Sequence, residues 1–78
     1  MFKVFDKIIF AARLKQLRTQ RKLSAYALAR ETGITPAAIS QFENAKNYPH
    51  CNTLCALADY FDVSLDYLVG RSDDPSRH

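Results

Sequence analysis

The chain has 78 residues, 47% of them hydrophobic, enough for one small core and too few for a second domain. Its formal charge of +3 conceals a gradient: residues 1–50 carry nine basic against three acidic side chains, a balance of +6, whereas residues 51–78 sum to −3. No apolar run reaches the roughly 20 residues of a membrane span, and Asp6 and Lys7 interrupt the short apolar start, which argues against a membrane anchor or signal peptide and for the cytoplasm.

Five helices and no strand are predicted. The first begins at Asp6, a cap with Phe5 and Phe10 at the spacing of a hydrophobic staple, and runs to about Arg21 with Phe10, Leu14 and Leu17 on its core face. The second, from about Ala25 to Glu31, starts on a Ser24 cap flanked by Leu23 and Leu28. A three-residue hinge, Thr32-Gly33-Ile34, follows, and Gly33 supplies the positive φ that ends a helix. The third helix, Pro36 to about Asn44, has Thr35 as cap, Pro36 at the first helical position, and Ile34 with Ile39 as staple. Ala29 is small where two helices crossing at roughly 90–120° need close backbones, and Ile39 and Phe42 offer the matching apolar face.

Pro49 sets a loop over residues 47–50. The fourth helix, Cys51 to about Phe61, buries Leu54, Leu57, Ala58 and Phe61. Ser64 caps a last short helix, with Val63 and Leu68 as staple and Gly70 as its stop. Residues 1–70 form the domain, with 1–9 an extension or the start of the first helix, and the polar segment 71–78 is expected to be disordered.

Leu14, Leu17 and Arg18; Leu23, Leu28, Ala29, Gly33 and Ile34; Ile39, Ser40, Phe42, Glu43 and Asn44; and Pro49, Leu54, Leu57, Leu65 and Leu68 stand in the order and spacing of a known pattern. From Phe10 to Val69 the chain resembles the lambda-repressor-like helix-turn-helix family, often called the Xre family. The resemblance implies a compact, all-α, five-helix DNA-binding domain in which helices two and three form the helix-turn-helix. Helix two would lie across the DNA backbone while helix three enters the major groove. It also implies a small transcriptional regulator, a repressor in the first instance, binding a near-palindromic operator on double-stranded DNA as a homodimer and needing no cofactor.

The residues themselves support part of that picture. The helix starts at Ser24 and Thr35 present free N–H groups and positive dipole ends suited to phosphate oxygens, and Arg13, Arg21, Lys22 and Lys46 are candidate phosphate contacts. Candidate base readers are Thr35, Ser40, Gln41, Asn44 and Lys46, with Gln41 able to pair bidentately with adenine. The front of helix three is unusual. Pro36, Ala37 and Ala38 stand where relatives place hydrogen-bonding side chains, so Ala37 and Ala38 either pack on thymine methyls, giving A·T-leaning, shape-dependent specificity, or merely favour the helix. Ala25 stands where many relatives carry Gln, and Ala45 where Gly is common; a left-handed Ala45 would be strained by about 1 kcal/mol.

In the family, residues at the positions of Arg18 and Glu43 form an ion pair joining helix one to the end of helix three; the alternative is that both are solvated. Phe5, Ile8, Ile9 and Ala12 make an apolar stripe that either packs on helix five and Tyr67 or meets a second subunit. Phe5, Ile8, Ile9 and Tyr67 are taken as the dimer contact, with Tyr60 and Val69 as further candidates. Cys51 and Cys55, with His50 and His78, do not make the four convergent ligands of a zinc site, so no metal is assigned and both cysteines are placed in the core. No catalytic constellation or phosphate-binding glycine loop is present, which argues against an enzyme. The competing class is an antitoxin-like module that uses the N-terminal stripe and Tyr67 to hold a protein partner.

Overall fold

A computed structural model describes residues 5–77; Lys3 and His78 lie outside the described residues. It contains five helices and, among those residues, no strand: α1 Lys7–Gln20, α2 Ala25–Thr32, α3 Pro36–Glu43, α4 Cys51–Phe61 and α5 Leu65–Leu68. The capping chemistry explains the boundaries. The Asp6 carboxylate accepts from the N–H groups of Ile8 and Ile9, Ser24 from Ala27, Thr35 from Ala38, and Ser64 from Tyr67. The staple across the first cap is in place, with the Phe5 and Phe10 rings 5.3 Å apart.

Phe10, Leu14, Leu28, Ile39, Leu57 and Leu68 are fully buried, each contributing roughly 1.5–3 kcal/mol relative to exposure. They come from all five helices, so no helix pair holds the core alone. α1 packs on α3 and α5, and α2 on α3 and α4. Gly33 ends α2 with φ 75°, and nothing lies within 4 Å of where a Cβ would stand, so its conformation alone demands glycine. At Gly70 space matters too, since an added Cβ would come within 3.0 Å of Ile9 Cγ2.

The structure corrects three expectations. Residues 71–77 are not a loose tail but a strap: Ser64 N–H donates to the Pro75 carbonyl at 3.0 Å, and Arg77 donates to the Ala58 carbonyl at 3.3 Å and to Asp59 at 2.6 Å. Polarity of composition hid this, because backbone carbonyls and guanidinium groups supply the contacts. Most of the N-terminal stripe is used within the chain. Phe5 packs on Phe10 and edge-on to Tyr48, Ile9 meets Gly70, Tyr67 lies beneath Arg13, and Val69 is buried. Ile8, 73% exposed, and Ala12 are what remains open of the expected dimer stripe. Finally, Cys51 is exposed and Cys55 only partly buried, since the apolar face of α4 is carried by Leu57, Ala58 and Phe61.

Candidate nucleic-acid interface

The interface is built around the pose of α3. Its inner face, Ile39 and Phe42, is buried against the core, and Ala29 on α2 lets the two helices approach. A clamp fixes its far end. The Arg18 guanidinium donates from Nε to Glu43 Oε2 at 2.6 Å and from Nη2 to Glu43 Oε1 at 2.9 Å, while Nη1 donates to the Leu23 carbonyl at 2.7 Å. One side chain thus ties α1, the segment entering α2, and the last residue of α3. The pair is largely shielded, with 16% and 9% of the two side chains exposed. The hydrogen bond to Glu43 raises the Arg18 pKa above its ordinary value, against a smaller opposing effect of burial.

With its base clamped, α3 turns Ala37, Ser40, Gln41 and Asn44 outward, and Pro36 and Ala38 are half-buried at its front. The Asn44 amide donates to the Ser40 carbonyl at 2.7 Å, so it serves its own helix end rather than standing free to read a base. Gln41 remains exposed on the same face, its Oε1 accepting from Asn47 Nδ2 at 3.2 Å. Ala45 adopts φ 56°, so the left-handed turn is kept without glycine and Lys46 follows it, exposed, with its N–H on the Gln41 carbonyl. Lys22, also left-handed at φ 57°, is exposed two residues before the Ser24 cap. Ser24 and Thr35 each satisfy one N–H of their helices, leaving other first-turn donors toward solvent.

Two expected phosphate contacts are committed elsewhere. Arg13 donates from Nη1 to the carbonyls of Tyr67 and Ser72 and from Nη2 to Asp73 at 2.8 Å, with its guanidinium 4.2 Å from the Tyr67 ring centroid. Arg21 donates to the Tyr60 carbonyl at 3.1 Å and lies over the Tyr60 and Phe61 rings. Both tie α1 to the distal half of the molecule, a use that a count of positive charges does not distinguish from phosphate binding. Sequence reasoning also missed Tyr26, 75% exposed on α2, which with Arg30, Ile34, Thr35 and Pro36 lines an open groove of about 410 Å³ beside the start of α3. Its signal was available: an aromatic residue off the Leu28–Ala29 core stripe.

A family model described as helix-turn-helix, HTH_3, matches residues 14–68, which takes in the clamp, both helices of the motif, the loop after α3, α4 and all of α5. The chain is a lambda-repressor-like helix-turn-helix protein of the Xre family. Members of this family are DNA-binding transcriptional regulators. The chain is 37% identical over 67 residues to the uncharacterized HTH-type transcriptional regulator YobD of Bacillus subtilis, covering 86% of this chain and 60% of that protein. To the HTH-type transcriptional activator BcrR of Enterococcus faecalis it is 35% identical over 60 residues, or 77% of this chain and 29% of the relative. The Xre domain described here therefore spans from under a third to about three fifths of these curated relatives.

Among solved structures, the P22 c2 repressor in complex with a synthetic operator superposes with a TM-score of 0.77 at 30% identity, over 82% of this chain and 97% of that one. The restriction-modification controller protein C.AhdI of Aeromonas hydrophila gives 0.73 at 27% identity, over 81% and 96%. Among the described residues of this Xre domain, no helix is long and apolar enough to cross a membrane.

Proposed function

We infer that this domain binds double-stranded operator DNA as a homodimer and represses transcription in the cytoplasm, with α3 in the major groove. The observation that carries the reading is the clamp of Arg18 on Glu43 and the Leu23 carbonyl, which fixes the base of α3 while Ala37, Ser40 and Gln41 face outward. A recognition helix needs that rigidity, because base edges are read by hydrogen bonds that tolerate little misplacement. Gln41 is the principal hydrogen-bonding reader. Ala37 and the edge of Ala38 pack on thymine methyls, and the scarcity of donors at this front shifts specificity toward A·T content and groove shape.

The free N–H groups at Ser24 and Thr35, together with Lys22 and Lys46, hold phosphates, and the exposed Tyr26 hydroxyl adds a neutral phosphate contact from α2. Ile8 and Ala12, both exposed among the described residues, contribute apolar surface to the second subunit. Repression follows from occupancy, a bound domain excluding other proteins from the same major groove. Selection of bound sites from random duplex DNA tests the whole reading. A two-fold symmetric, A·T-leaning motif is the expected result, an asymmetric motif would remove the homodimer, and no enrichment would remove sequence-specific readout.

A further inference from the structure

The chain has two cysteines, and both lie within the first two turns of α4. Cys51 opens the helix and is exposed; Cys55, one turn on, is partly buried, and both are free thiols. Residues four apart on a helix share a face with Cβ atoms roughly 5–6 Å from one another. Here that spacing sets two free thiols one turn apart on the same face of α4. Burial first, then the charge and hydrogen bond of Cys51, and last the charge of Asp59, hold the Cys55 thiol above its ordinary pKa.

The surroundings restrict what such a pair can hold. Among the described residues, no group of three or more His, Cys, Asp or Glu side chains is arranged to hold a metal ion, which does not suit the four-ligand shell of structural zinc. Asp59, one further turn along α4, is engaged by Arg77 at 2.6 Å. Hard cations seek oxygen, whereas thiolates select soft ions. The start of α4 adds a favourable field. His50 provides no side-chain cap there, in contrast to Asp6, Ser24, Thr35 and Ser64 on the other helices; Asn52 Oδ1 accepts from the Thr53 N–H at 2.9 Å, and negative sulfur at the first helical position lies at the positive end of the helix dipole.

We propose that Cys51 and Cys55 form an intramolecular two-thiol chelate for a soft, two-coordinate cation of the copper(I) class. On binding, each S–H bond gives up its proton to solvent and two sulfur–copper bonds form; neither copper nor sulfur changes oxidation state. One ion replaces two protons. The cation cancels the repulsion between adjacent thiolates and ties the first turn of α4 to the second, directly after the loop that carries Lys46.

The test is an anaerobic titration of the reduced chain with copper(I) supplied from a chromophoric competitor, with Cys51→Ser and Cys55→Ser alongside. The expected result is one copper(I) per chain, with affinity falling about 100-fold or more in either variant, because a chelate depends on the high effective concentration of its second arm. Far-ultraviolet circular dichroism of both variants separates lost ligation from lost fold. Wild-type affinity in either serine variant that retains its helix content would overturn the chelate. So would one ion per two chains, which places the cation between molecules.

Discussion

In the half of the molecule formed by α1, α4, α5 and the strap, arginines are bonded back to the protein: the partly buried Arg13 grips the carbonyls of Tyr67 and Ser72, while the exposed Arg21 and Arg77 reach those of Tyr60 and Ala58. Around α2 and α3, Lys22, Arg30 and Lys46 are exposed and make no ion pair among the described residues. For Lys22 and Lys46 the difference follows from side-chain chemistry; Arg30, a guanidinium too, is exposed by its place on the outer face of α2. A guanidinium is a planar fork that serves several acceptors and stacks on rings, whereas an ammonium is a strongly hydrated point charge that gains less from burial. Formal charge along the chain therefore overstates the DNA-facing potential of α1, and Arg18 marks the border, its charge used to fix α3 rather than to meet DNA.

The sharpest way to break this contrast is at the border. Glu43→Ala strands Arg18 among shielded groups, and the expected loss is about 3 kcal/mol in denaturant unfolding. Arg18 is held above its ordinary pKa chiefly by that hydrogen bond, so its contribution is complete at neutral pH and is lost only as pH rises through the strongly alkaline range. The penalty of Glu43→Ala should accordingly be the same at pH 7 and pH 9. A loss below about 1 kcal/mol would reduce the clamp to an ordinary surface pair.

The next effect separates the two halves by DNA binding. Lys22→Ala and Lys46→Ala should each make the log–log dependence of affinity on salt shallower by about 1. Arg13→Ala and Arg21→Ala should leave that slope unchanged and instead lower stability, by about 1–2 kcal/mol for the carbonyl hydrogen bonds they give up. If Arg21→Ala flattened the slope as the lysine variants do, the division of cations drawn here would fail.

Two smaller effects sharpen it. Ala45→Gly relieves a left-handed alanine, with an expected gain of about 0.5–1 kcal/mol seen as a higher midpoint of thermal unfolding. Arg77→Ala should cost little stability, read as a nearly unchanged midpoint of thermal unfolding, because the Asp59 and Asp62 carboxylates it meets are exposed to solvent. A larger loss would mean that the strap is part of the cooperative fold and not a covering laid on it.

The helices were legible because their signals are local. Asp6, Ser24, Thr35 and Ser64 cap as their side chains dictate, Gly33 turns where positive φ is required, and the apolar spacing of Phe10, Leu14, Leu28, Ile39, Leu57 and Leu68 marks the core. The residue content of α3's front was equally plain, and with it the scarcity of donors at Pro36, Ala37 and Ala38. The commitments of the long polar side chains were not legible. Arg13 can reach carbonyls more than fifty positions away, Asn44 can turn back on Ser40, and Tyr26 can stand free, and no periodicity records those choices.

What the sequence determined by itself is therefore the set of helices, their order, and the hinge that crosses α2 over α3, all consequences of hydrogen bonding and burial within a few residues. The tertiary structure alone decided which cations are spent on the protein and which face outward, where the strap lies, and that Cys51 is exposed and Cys55 only partly buried. Those outcomes depend on acceptors and apolar faces that folding brings together from distant positions, so local pattern carries no record of them.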